Sequence, residues 1–184
     1  GDPMPNDPSS DHPSATPGDA PAEAPALHED EGHLDGLDQR LLDAMQARRK
    51  GDVDAASELL RSILSVEPRL AEPRVELASM LLEAEQLEEA EAEAREATRL
   101  LDLGGQWSED VDPDIMRSLA WNLLAEALRR QADQDSVVFG DPERWTALMT
   151  ESGDAFKKAA SLDPTNEHAG HWALGMGRGG SGEE

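Results

Sequence analysis

An all-α architecture is expected of this 184-residue chain. Its apolar residues recur three and four apart over long stretches, the spacing that puts them on one buried face of a helix. Val, Ile and Thr are sparse, and no segment alternates apolar with polar residues for long, so strand signals are lacking. Gly-Asp and Asp-Pro pairs break the chain where helices would start and stop.

The first segment, residues 1–33, is different. It holds seven of the twelve prolines, eight acidic residues and no Lys or Arg. Of the Leu, Ile, Val and Phe residues only Leu27 lies there, so ordering would bury almost nothing. A disordered, acidic, Pro-rich tail is expected, followed by a folded domain over residues 34–176 and a flexible C-terminus, 177–184. Gly1-Asp2-Pro3 ahead of Met4 reads as a cloning remnant, or else Gly1 reads as a mature N-terminus whose Pro/Ala leader is a tether from a membrane anchor. With Met4 as the native start, Pro, Asn and Asp follow where a signal peptide needs a basic and then an apolar stretch, and a cytoplasmic location is expected.

The helices follow in order. The first is expected near 36–49, with Leu41, Ala44 and Met45 at helical spacing; Gly51-Asp52 stops it and caps the next. That one runs near 53–66 and carries Ala56, Leu60 and Ile63. A third, near 71–84, holds Leu77, Ala78 and Leu81, and a fourth, near 87–101, holds Ala90, Ala94 and Ala97 before Gly104-Gly105 ends it. Asp112-Pro113 opens a fifth near 113–131, with Trp121, Leu124, Ala125 and Leu128. Asp141-Pro142 opens a sixth near 142–161, with Phe156 and Ala159; in each pair an N-cap precedes a proline at the first helical position. A last helix is expected near 166–175.

These elements repeat. Sliding residues 37–70 onto 71–104 places Ala44 on Ala78, Ala56 on Ala90, Leu60 on Ala94 and Ile63 on Ala97. A third copy begins near Ser118 with Trp121, Leu124, Ala125 and Leu128, and closes with Phe156, Ala159, Leu162 and Pro164. A period of 34 and the pattern W-x2-L-G-x2-Y…A-x3-F…P mark the tetratricopeptide repeat (TPR), and the chain resembles that family. The resemblance implies a solenoid of helical hairpins with repeats at 37–70, 71–104 and 118–166, and a C-terminal capping helix at 167–176. The chain departs from the pattern by insertions at 105–117 and 133–150, by Arg40 and Asp43 where large apolar residues are usual, and by Asp102 in place of a closing proline. Independently of the resemblance, the recurring alanines read as points where paired helices approach closely.

Composition excludes several functions. There are 40 Asp+Glu against 16 Lys+Arg, a net charge of −24, which repels nucleic acid and anionic lipid. The absence of cysteine removes disulfides, thiolate metal sites and a cysteine nucleophile. His28 and His33 are five apart, and a zinc-protease helix needs four. His168 and His171 give two ligands where a structural zinc needs four. Asp110, Asp112 and Asp114 lack the glycine and closing glutamate of a calcium loop, and Asp112 reads as a cap. No enzyme, metal or cofactor is expected.

Partner binding is the expected function: an adaptor or assembly factor, with a dedicated chaperone or a self-associating module as alternatives. The resemblance implies a concave face lined by the first helix of each pair, gripping a peptide or helix of another protein. Its register puts there Leu41, Met45, Arg48 and Arg49 from the first copy, Val75, Ser79 and Leu82 from the second, and Asn122, Glu126, Arg129 and Arg130 from the third. The arginines read either as partners of neighbouring glutamates on a solvated face or as jaws for an acidic or C-terminal peptide, since guanidinium binds carboxylate through two parallel hydrogen bonds. The Lys/Asn carboxylate clamp of some TPR co-chaperones is not expected, because Leu41, Met45 and Glu76 stand at its positions. Trp107 and Trp145 in the insertions are expected either to fold back and be buried or to anchor a partner; self-stacking would need Trp172, Leu174 and Met176 on an exposed edge.

Overall fold

Three helices of this protein open on an aspartate whose side chain caps them. The structure, a computed structural model, describes Gly1 and residues 36–177, which form eight helices and no strand; the expected tail and the chain beyond 177 lie outside the described residues. Asp52, Asp112 and Asp141 each accept a main-chain N–H of the helix they precede, from Ala55, Asp114 and Arg144. They open α2 (Val53–Val66), α5 (Pro113–Ala132) and α7 (Pro142–Leu162). The remaining helices are α1 (Leu37–Arg49), α3 (Glu72–Glu83), α4 (Leu87–Asp102), α6 (Asp135–Val138) and α8 (Glu167–Gly177). All but α6 fall within two residues of the sequence expectation.

The turns repeat as the sequence does. After α1, Gly51 N–H donates to the Arg48 carbonyl (3.0 Å) and Asp52 N–H to the Ala47 carbonyl (2.9 Å). At the positions 34 residues later, Glu85 N–H donates to the Leu82 carbonyl (3.0 Å) and Gln86 N–H to the Leu81 carbonyl (2.8 Å). Both turns have the paired hydrogen bonds of a helix end closed by a left-handed residue. That residue is Gly51 (φ 84°) in one and Glu85 (φ 58°) in the other. A second turn type follows α2 and α7: Glu67 and Asp163 share an extended backbone, φ −137° and −139°, each ahead of a proline.

Each long helix packs on the next, α1 on α2 through to α4 on α5, then α5 on α7 and α7 on α8. The alanines at the repeat positions are the contact points: Ala44, Ala56, Ala78, Ala90, Ala125 and Ala159 are all buried. Apolar clusters sit at successive helix junctions. Ala44, Ala56, Leu60, Leu77 and Met80 join α1, α2 and α3; Ala78, Ala94, Leu124 and Leu128 join α3, α4 and α5; Ala125, Phe156, Ala159 and Ala169 join α5, α7 and α8. Buried serines tie α5 to α7, with Ser118 Oγ donating to the Ala159 carbonyl (2.7 Å) and Ser152 Oγ to the Ala125 carbonyl (2.8 Å). One consequence for the site is that α3 lies between α1 and α5, in contact with both.

Candidate functional site

The first insertion builds a wall beside α1 and α3. Gly105 N–H donates to the Leu100 carbonyl (2.7 Å), and its own carbonyl accepts Ala71 N–H (3.0 Å). A side chain at 105 would place its Cβ 2.5 Å from the Arg69 carbonyl oxygen, so only glycine fits this approach. The chain then crosses the start of α3, where Glu72 is buried. Its two carboxylate oxygens accept Trp107 N–H, at 2.9 Å each, and one also accepts Ser108 N–H. A carboxylate in the first helical turn is also favoured by the helix dipole. The Trp107 ring packs against Leu37, Ile63 and Leu70.

Between this wall and α1 lies a groove of about 440 Å³. Leu41, Leu42 and Met45 of α1 line it, with Trp107 and Val111 of the insertion and Met116 of α5. Asp38, Glu72, Glu76 and Asp110 add carboxylates. Leu42 is 56% exposed, so apolar surface faces solvent here.

Beyond it, arginines bridge the helices. Arg48 of α1 donates to Glu76 (2.8 Å), Ser79 Oγ (2.7 Å) and Glu83 (2.6 Å) of α3. Arg130 of α5 reaches the Leu82 carbonyl (3.2 Å), Glu85 (3.3 Å) and Glu126 (2.9 Å). Arg129 binds Glu126 (2.5 Å) and Asp133 (2.8 Å) and lies 4.3 Å above the Trp172 ring. A smaller polar pocket of about 270 Å³ lies between α3, α5 and α8. Ser79, Leu82, Glu83, Asn122, Glu126, Arg130 and His168 line it, and His168 Nδ1 meets Asn122 Oδ1 at 2.8 Å. Burial pushes the Glu126 carboxyl up, but hydrogen bonds from Arg129 and Arg130 outweigh this and hold it below the ordinary carboxylate range.

The expected partner-binding residues therefore divide. Leu41 and Met45 line the apolar groove; Ser79, Leu82, Asn122, Glu126 and Arg130 line the polar pocket. Arg48 lies between them, and Arg49 is exposed outside both. Val75 lines neither: it is buried with Ala71, Ala97, Leu100, Leu101 and Met116. The arginines are also engaged otherwise than as jaws, since Arg48, Arg129 and Arg130 already hold carboxylates of this chain. A ligand carboxylate would have to displace those pairs. Glu72 and Val111 were not foreseen at the site. An acidic residue in a first helical turn is ordinary, and nothing local marks one that holds a loop 35 positions away.

The two tryptophans of the insertions diverge. Trp107 folds back and is half-buried, whereas Trp145 is 40% exposed, close in sequence to Phe139, which is 83% exposed. Trp172 is half-buried, stacked on Phe156 at a centroid distance of 6.0 Å, and Leu174 is exposed. Asp112 is a helix cap, and among the described residues no group of three or more His, Asp or Glu side chains could hold a metal. His28 and His33 lie outside the described residues. No described helix is long and apolar enough to cross a membrane. No protein-family model matches the chain, and no curated protein matches it.

Proposed function

We propose that this chain is a non-catalytic protein-interaction module of TPR-like architecture, an adaptor or assembly factor acting in the cytoplasm. It holds a peptide or helix of one partner along the row formed by α1, α3 and α5. The observation that carries this reading is the groove itself: solvent-facing apolar surface from Leu41, Leu42 and Met45, opposed by a wall that Glu72 ties down. A solvent-facing apolar surface bounded by carboxylates is characteristic of an interaction site. Support for the architecture comes from the sequential packing of the helices and from turns that recur 34 positions apart with the same hydrogen bonds.

The test is affinity purification from the native host with quantitative mass spectrometry, comparing the full chain with two double variants. Leu42→Glu with Met45→Glu is expected to lose the main partner. Phe139→Ser with Trp145→Ser, at the exposed aromatic site on the second insertion, is expected to keep it. The opposite pattern would move the partner to α6 and α7 and remove the groove from the argument.

A further inference from the structure

We infer that the groove's occupant is a cationic, amphipathic segment of the partner: a helix or extended strand with large apolar anchors on one side and lysine or arginine on the other. This rests on the preceding reading of the groove as the partner site. Four carboxylates line it, and no lysine or arginine does. Asp38 and Asp110 are exposed at its rim. Glu72 is bound by main-chain N–H groups and Glu76 by Arg48, so both keep their place as fixed acceptors. The closest arginine in the row, Arg48, donates to Glu76, Ser79 and Glu83, which leaves it committed to α3 when a ligand arrives.

The floor selects for apolar anchors. Leu41, Leu42, Met45 and Met116 are flexible or branched aliphatics that accept Leu, Met or Phe side chains, and methionines adapt to several shapes. Anchors at i, i+3, i+4 and i+7 of a partner helix would enter such a groove on one face. The whole molecule, at −24, then draws the basic face in and turns acidic segments away.

The test uses three fluorescein-labelled peptides of about 14 residues, enough for four helical turns. One carries Leu at i, i+3, i+4 and i+7 with Lys elsewhere; the second keeps Leu and replaces Lys by Glu; the third keeps Lys and replaces Leu by Ser. Anisotropy titrations against the full chain are expected to show the Leu/Lys peptide binding at least ~tenfold more tightly than either other peptide, weakening as salt rises. The double variants Asp38→Lys with Asp110→Lys, and Leu42→Ser with Met45→Ser, should each weaken it by about tenfold. In two-dimensional NMR the Trp107 indole N–H signal should move on binding while that of Trp145 stays. Circular dichroism of the variants, which change only exposed or half-buried positions, verifies that they remain helical. Equal or tighter binding of the Leu/Glu peptide overturns the charge inference and leaves the groove as a partner site. If the Ser/Lys peptide binds as well as the Leu/Lys one, or neither variant changes the affinity, attraction is to the acidic surface at large and the inference falls. Absence of binding by all three removes the inference together with the groove reading.

Discussion

At Glu126 burial and hydrogen bonding act on one carboxyl in opposite directions, and the hydrogen bonds from Arg129 and Arg130 prevail. A carboxyl whose folded pKa is below its unfolded value contributes stability that is complete above the unfolded value, ~4.3, and is lost as pH falls through the folded one. Glu126→Gln is therefore expected to lower stability by about 2 kcal/mol at neutral pH. The gap should narrow as pH falls beneath about 4, because the wild-type carboxylate is then neutralised too. Thermal unfolding of both proteins from pH 7 to pH 3 measures this; a gap independent of pH would show that the ion pairs contribute nothing. Residue types and the partners within one helix were readable here, and partners on other helices were not. The sequence places Arg48, Arg129 and Arg130 on the first helices of their pairs; Glu126 and Asp133 stand three and four positions from Arg129, but the contacts of Arg48 with Glu76 and of Arg130 with Glu85 span 28 and 45 positions. Val75 shows the same limit: helical register identifies a face, and the packing of α4 and α5 decides how much of that face is covered.

Elements were the most legible level, because caps are local chemistry. Asp52, Asp112 and Asp141 are recognisable from their neighbours alone, and each caps the helix expected of it. The short α6 was not recognisable, since four residues cannot display a helical period and they fall inside an expected insertion. The turn after α3 carries a testable defect. Glu85 has φ 58° where the equivalent first-repeat position is Gly51, and a side chain in the left-handed region costs about 1 kcal/mol. Glu85→Gly is expected to raise stability by about that amount, since the exposed Glu85–Arg130 pair it removes is long, 3.3 Å, and weak. Chemical denaturation would register the gain as a higher midpoint at unchanged slope; a lower midpoint would mean that the ion pair outweighs the backbone strain.

For the whole molecule, charge is the dominant quantity. With 40 acidic and 16 basic side chains, the folded state gathers like charges that the unfolded chain spreads apart. Added salt screens this repulsion over distances near ~8 Å at physiological strength. The unfolding temperature should therefore climb by several degrees between low and moderate sodium chloride; calorimetry that showed a flat or falling midpoint would assign control to the attractive Arg–Glu pairs. At this scale the helical class and the 34-residue period were visible in sequence through alanines that allow close helix contact. The groove was only half visible. One side, from α1, follows from register, while the other arises where residues 105–111 fold over α3, a long-range event with no periodic signature.

The attachment of that segment has an evolutionary corollary. Glu72 grasps amide hydrogens, which every residue except proline supplies, so it fixes the course of the segment without dictating its side chains. Positions such as Ser108 and Asp110 can therefore take any side chain except proline's at 108, and the surface they present can change by a few letters while the backbone keeps the same route.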